Sequence, residues 1–476
     1  MAYTAFITRI KNLRQHPNAD RLQMGECFGN TVIVSMEYTD NQIGIYFPSD
    51  GQVSVAFAEA NNLLRKKDDA GNNIGGYMDE SKRNVTAIKL RGEKSDGLFL
   101  PLSSLESFGD IATLKEGDRI DNFNGHEICC KYVPKRNHRQ GGVSNGNRTR
   151  KKKVDVAPLF VEHADTEQLA YNLAAFKPGD EIEITLKMHG TSQRTGYLPV
   201  FKGYFSAIPW VRWVLSHCKE NTWLYNQALK YANAFYDWGY VSGTRRTVLE
   251  NYDGGYYGSN EFREQHSKFF EGKLWKGEEI FYEVVGFTHT GAPIMADADN
   301  KKLNDKEFVK QYGKTTTFSY GCANQAIPAV MKAPEMVEVS PAVPQSDIYV
   351  YRMTMTNEDG DTVEYTPDFM RYRCEQMGVK TVPVMWKGTI PDPVNGEIIM
   401  NNFTAGDYIK GVAEKYYDGP DPIGKTHVRE GVVVRILNRP KFCAYKYKNW
   451  SFKALEGIVK VEAEAPDMEE AEEVVE

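Results

Sequence analysis

Residues 131–153 carry nine lysines and arginines and no acid. Gly141-Gly142, Asn145-Gly146 and Asn147 lie among them, with no apolar period. Such a block has no hydrophobic face to bury, so it reads as a solvated linker or a phosphate-attracting strap between two domains. It divides the 476 residues into an N-terminal segment 1–133, a basic flexible linker 134–153, and a larger segment 154–460. Residues 461–476 form an acidic tail with eight carboxylates and no cation. Net charge is −6, so only the distribution of charge, and not its sum, points to an anionic partner.

Hydrophobic residues at 41% and charged residues at 26% suit a globular protein with a sizeable core. No run of 18 apolar residues exists, so no membrane span is expected. The start, Met1-Ala2-Tyr3-Thr4-Ala5, lacks the pattern of a secretory signal. Seven scattered cysteines without Cys-x-x-Cys suggest a reducing, cytoplasmic setting, and Cys129-Cys130 reads as core.

Residues 31–35, 42–47 and 85–90 alternate like strands, and Ala56 to Lys67 reads as a short helix before the loop 68–76. Short strands with one helix predict a small β-barrel. His16-Pro17-Asn18-Ala19-Asp20-Arg21-Leu22 and Lys89-Leu90-Arg91-Gly92-Glu93-Lys94-Ser95-Asp96-Gly97-Leu98 resemble stretches of the tRNA-binding OB-fold modules attached to some aminoacyl-tRNA synthetases. The resemblance implies a nucleic-acid-binding OB-type barrel in which Lys89, Arg91 and Lys94 meet phosphates.

In the larger segment, Glu181-Ile182-Glu183-Ile184-Thr185-Leu186-Lys187 alternates as a half-buried strand, and Gly190 breaks it. A lysine at the mouth of such a strand becomes a nucleophile once it loses its proton. Four segments follow in order: Ser242-Gly243-Thr244-Arg245-Arg246, Ile280-Phe281-Tyr282-Glu283-Val284-Val285-Gly286, Arg429-Glu430-Gly431-Val432-Val433-Val434-Arg435, and Tyr445-Lys446-Tyr447-Lys448-Asn449-Trp450-Ser451-Phe452. A carboxylate inside an apolar strand needs a partner or ligand. Lys446 and Lys448 share a strand face and repel unless an anion lies between them. Thr222 to Tyr240 shows an approximate helical stripe, and the proline-rich 327–346 reads as a loop or inserted segment.

Together these five segments resemble the covalent nucleotidyltransferases, the ATP-dependent ligases and capping enzymes. His189 two positions after Lys187, and the Lys-x-Lys-Asn-x-x-Phe ending, are similar to the phage RNA ligase 2 type. With 24 residues after Phe452 and the small barrel in front, the order resembles a nick-sealing RNA ligase subclass with an N-terminal OB domain. The resemblance implies an α+β fold: an OB-type barrel, then an adenylyltransferase domain of antiparallel sheets and helices. It implies an ATP-dependent RNA ligase with a lysyl-AMP intermediate on Lys187, using Mg2+ or Mn2+. His189, Gly190, Arg245, Glu283, Tyr351, Glu430, Lys446 and Lys448 would hold the nucleotide. Tyr351 would stack on adenine, with Tyr349 the other candidate. Glu283 would take the ribose and Glu430 the metal. Arg245 or its neighbour Arg246 would position phosphates. The implied partner is RNA, or an RNA/DNA duplex, nicked between 5′-phosphate and 3′-OH ends, with no membrane and no obligate protein partner. Leu186, where that type often has glutamate, and extra chain after Lys187 and Gly286 depart from the pattern. Other readings are a DNA ligase, a capping-type guanylyltransferase, or an OB-fold RNA-binding protein without activity.

Overall fold

The alternation that marks β-strands in the sequence is realised as a set of antiparallel sheets. The computed structural model describes residues 3–132, 155–325, 343–392 and 404–456, apart from 50, 68–72, 77, 164–165, 221, 246, 250–251, 253–259, 304 and 440. The basic linker, the acidic tail and most of 327–346 lie outside the described residues.

In the N-terminal part the chain forms β1 (Ala5–Arg9), β2 (Lys11–Gln15), β3 (Leu22–Cys27), β4 (Asn30–Ser35), β5 (Ile43–Phe47), α1 (Val55–Ala60), β6 (Ile88–Leu90), β7 (Glu93–Ser95), β8 (Leu98–Pro101) and β9 (Arg119–Ile120). One sheet runs β8-β5-β1-β9 and another β2-β3-β4. Strand period places Ala5, Ile7, Ile45 and Phe47 in one core with Phe57 and Leu105, and Phe6 and Tyr46 in a second with Val32, Val34 and Phe99. The sheets do not join into one hydrogen-bonded ring among the described residues, so the expected closed barrel is seen only as separate sheets. The expected helix from Ala56 to Lys67 ends at Ala60. Asn61 caps it, Asn62 turns at φ 50°, and Arg65–Lys67 is extended. Cys129 lies in the core, and all seven cysteines are free.

The larger part contains β10 (Glu181–Lys187), β11 (Thr191–Phe205), α2 (Pro209–His217), α3 (Trp223–Ala228), β12 (Asn233–Gly243), β13 (Glu278–Gly286), β14 (Ser346–Thr356), α4 (Pro367–Met377), β15 (Val384–Thr389), β16 (Gly431–Ile436), β17 (Ala444–Lys448) and α5 (Trp450–Leu455). Two antiparallel sheets, β17-β16-β10-β15 and β12-β11-β13-β14, carry the architecture. Ile182 and Ile184 pack with Val432, Val434 and Ile436 under the first sheet. Ile280, Tyr282 and Val284 anchor the core of the second. The three residues Met188, His189 and Gly190 pass the chain from one sheet to the other.

The expected helix over 222–240 is replaced. Only Trp223–Ala228 is α-helical, and from Asn233 the chain pairs with β11 along the whole of β12. The ladder supplies a hydrogen-bond partner at each step, which outweighs the weak helical stripe. The N-terminal part rests on α5 of the larger part. Lys453 bonds Asp96 at 2.7 Å, and the Lys94 ammonium sits 4.1 Å above the Trp450 ring. No described helix is long and apolar enough to cross a membrane.

Inside the second sheet Arg373 (3% exposed) bonds both oxygens of Glu278 (0% exposed) at 2.8 Å, and Tyr365 donates to the same carboxylate. Removing one partner strands a buried charge. Arg373→Ala is expected to lower unfolding free energy by ~3–5 kcal/mol in urea titration. Arg9→Ala, which breaks an exposed pair with Glu116, should shift it by under ~1 kcal/mol.

Candidate active site

Alternation along β10 sends Glu183, Thr185 and Lys187 to one face, and all three line the same cavity. The cavity has room for water-sized groups over about 110 Å3 and opens to solvent. Strand β13 contributes Glu283 and β14 contributes Tyr351, while Arg245 enters from just beyond β12. Val433 and Arg435 come from one face of β16, and Ala444 from β17.

Lys187 ends β10 opposite Gly431, the first residue of β16. Its Nζ lies 2.6 Å from Oε1 of Glu430, a carboxylate wholly removed from solvent. Lys448 reaches the same oxygen at 3.1 Å and bonds both oxygens of Glu456 at 2.9 Å. For Lys448 the neighbouring anions are therefore provided by the protein. Lys446 is half-buried on the same strand, opposite Val433.

The glycine after Glu430 makes this contact possible. Gly431 has φ 152°, and a Cβ there would stand 2.1 Å from the carbonyl oxygen of Tyr447 and 2.8 Å from Cα of Lys448. Gly190 is equally constrained, since a Cβ would meet the Val284 carbonyl at 2.5 Å and the Glu283 side chain at 2.8 Å. Between them His189 is held edge-on by Phe318 and Phe452, and its backbone N–H donates to Tyr320 Oη at 2.7 Å. Burial, with the charge of Glu430 adding, pushes the Tyr320 phenol well above its ordinary range, so it stays a neutral partner.

His189, Glu430 and Glu456 offer ligand atoms within 4.8 Å of one another, the one such group among the described residues. Two carboxylates beside an imidazole suit a divalent cation. Here lysine ammoniums supply the positive charge on Glu430.

The two tyrosines of β14 part company. Phe281 pairs with Arg352 and Tyr282 with Val350, so Tyr351 is the extra residue of a β-bulge. Simple alternation would put Tyr349 and Tyr351 on one face. The bulge instead leaves Tyr349 in the core and turns Tyr351 into the cavity, bonded to Ser192 at 3.0 Å. Burial, reinforced by Glu283, raises the Tyr351 phenol to about 12. Arg245 lines the cavity, while Arg246 lies outside the described residues.

Several lining groups went unnoticed in the sequence. Glu183, Thr185 and Arg435 follow from strand period once Lys187 and Glu430 are placed. Arg371 of α4 grips Glu183 through two bonds of 3.1 and 2.8 Å, and His163 and Phe442 come from connecting segments. Burial, then the charges of Arg352 and Arg245, hold His163 well below its ordinary pKa, and its neutral ring accepts from Arg352 at 2.8 Å. Of the N-terminal candidates, Lys89 and Lys94 are paired across β6 and β7, and Arg91 donates to the carbonyl of Asn18 at 3.3 Å.

No protein-family model and no curated protein matches the sequence. Solved structures do match. A variant of Naegleria gruberi RNA ligase with ATP and Mn aligns over 94% of this chain and 96% of its own at 15% identity and TM-score 0.50. A second variant with ATP and Mn covers 95% and 99%, with the same identity and score. The same enzyme with PPi covers 94% and 97%, again at 15% and 0.50. The chain has the fold of these RNA ligases. The match spans both the N-terminal sheets and the two sheets that meet at Lys187.

Gly431→Ala tests the strand contact on which the site stands. It forces β16 from β17 and strains the backbone, and is expected to destabilise by ~1–3 kcal/mol in urea titration. An unchanged midpoint would mean that the strands separate without cost.

Proposed function

We propose that the chain is an ATP-dependent RNA ligase. One observation carries the reading: a lysine at the junction of two sheets contacts a buried glutamate, beside a cavity lined by Glu283, Arg245 and Tyr351, in a chain with this fold. Lys187 first releases to solvent the ammonium proton it holds beside Glu430, and as the free amine attacks the α-phosphorus of ATP, losing a second N–H proton to solvent as the phosphoramidate forms. An N–P bond forms, the bond to the bridging oxygen breaks, and pyrophosphate leaves. The AMP then passes to a 5′-phosphate end, freeing Lys187. A 3′-OH attacks that activated phosphate and expels AMP, leaving a phosphodiester.

The residues support distinct parts of this sequence. When Lys187 turns toward the nucleotide, Lys448 still contacts Glu430 but shares its single charge with Glu456, so the pair of carboxylates keeps a net negative charge that a divalent cation would offset. Glu283 accepts from the ribose hydroxyls, Tyr351 offers its ring to adenine, and Arg245, Lys446 and Lys448 face phosphate charge. Glu430, with Glu456 and His189, would hold Mg2+ or Mn2+, which supplies charge neutralisation at the phosphates. We further propose that 1–133 is an OB-type module and 154–460 the adenylyltransferase domain, acting in the cytoplasm on nicks in duplexes containing RNA. Lys89, Arg91 and Lys94 would contact the backbone flanking the nick.

Lys187→Ala is expected to abolish a radiolabelled AMP adduct. Lys187→Arg should do the same, because arginine stays protonated. An adduct at normal yield in either variant overturns the assignment. Labelled GTP in place of ATP distinguishes a capping-type enzyme, and nicked duplexes with RNA or DNA on each side distinguish a DNA ligase.

Glu283→Ala and Lys446→Ala should fold normally by circular dichroism and lose about 100- to 1,000-fold in nick sealing, the usual effect of removing one oriented group at a reacting centre. Near-normal sealing by both would make these strands structural only.

A further inference from the structure

The β11–β12 hairpin starts at the turn beside Lys187 and returns to Gly243, two residues before Arg245. Thr191–Gly196 pair with β13 inside the sheet, and the nine residues beyond, 197–205, give an arm of roughly 30 Å. At its tip α2 and α3 pack on each other through small side chains, Val211, Val214 and Ala228. Of the large ones, Tyr225 is buried, but the tryptophans are left outside. Trp210, Trp213, Trp223 and Tyr231 are 48%, 57%, 75% and 58% exposed. Trp210 and Trp213 fall on one stripe of α2, Trp210 touches Tyr231 at 5.9 Å, and Trp213 stacks flat on His217 at 5.2 Å. An element that buries valine and alanine while exposing three tryptophans does not need those rings for its own core.

The charge around them is reversed from that of the chain. Lys202, Arg212, Lys219 and Lys230 are exposed between 202 and 237, against Glu220 and Asp237, in a protein of net charge −6. Flat aromatic faces interleaved with cations are what an unpaired nucleic-acid strand requires, since every base offers a π-face and every nucleotide a phosphate.

We propose that this tip is a base-stacking platform for unpaired RNA of the substrate, held away from the ends being joined. The inference rests on the ligase reading, because the arm is rooted at the site where those ends would meet. It adds a second contact surface, distinct from the N-terminal module.

The test uses full-length protein and a fluorescein-labelled single-stranded RNA, followed by anisotropy across a salt series. AMP adduct formation is measured in parallel. The triple variant W210S/W213S/W223S is expected to bind about tenfold more weakly or worse, with adduct formation unchanged. Phenylalanine at the same three positions should restore most of the affinity. Lys219→Glu with Lys230→Glu should flatten the salt dependence by about one phosphate contact per charge removed. Unchanged RNA affinity in the serine and charge-reversed variants overturns the proposal. So does binding of the wild-type tip to phosphatidylserine vesicles in place of RNA, or a dimer in sedimentation velocity that the serine variant disperses. A wild-type protein that forms no AMP adduct would defeat the ligase reading, while the RNA titration would still decide the platform.

Discussion

Glu430 is the point on which the site depends. A carboxylate with no solvent exposure is tolerated only with charged partners, and here they come from two strands. Lys187 approaches from the end of β10 and Lys448 from the end of β17. The shared anion fixes how far both strands run and which faces they present. Gly431 and Gly190 are needed because the backbone must pass within contact of neighbouring strands for this arrangement to close.

The network extends beyond the cavity through α5. Lys448 bonds Glu456 just past that helix, Phe452 packs against His189, and Lys453 reaches Asp96 of the N-terminal part. Burial tends to raise the Asp96 carboxyl, but the ammonium of Lys453 outweighs this and its pKa is lowered. A helix of six residues thus touches the ion cluster with one end and the N-terminal sheets with another side chain. The two parts of the chain are coupled through side chains as well as through the linker.

Much of the site was legible because strand period is a strong constraint. The alternation before Lys187, the isolated Glu283 and the Glu430-Gly431 pair all appear where their apolar neighbours require. Arg371, His163 and Glu456 were not legible, since their approach depends on how separate elements pack. The bulge that separates Tyr349 from Tyr351 adds one unpaired residue without any composition signal. The aromatic run after Thr222 misled for a related reason: its helical spacing is real for one short helix, but long-range pairing with β11 decides the rest. The N-terminal strands were recognisable from alternation, whereas barrel closure depends on edge pairings that local sequence does not encode.

The hairpin of β11 and β12 has a broader consequence. Both of its roots are fixed by residues of the cavity, whereas past Gly196 its strands no longer pair with β13. Lengthening a connection adds only about 0.6 kcal/mol of closure entropy for each doubling. Chain can therefore be gained or lost at that end while Lys187, Glu283 and Glu430 keep their positions. Such a scaffold lets selection change what the outer end reaches while the residues of the cavity are inherited unchanged.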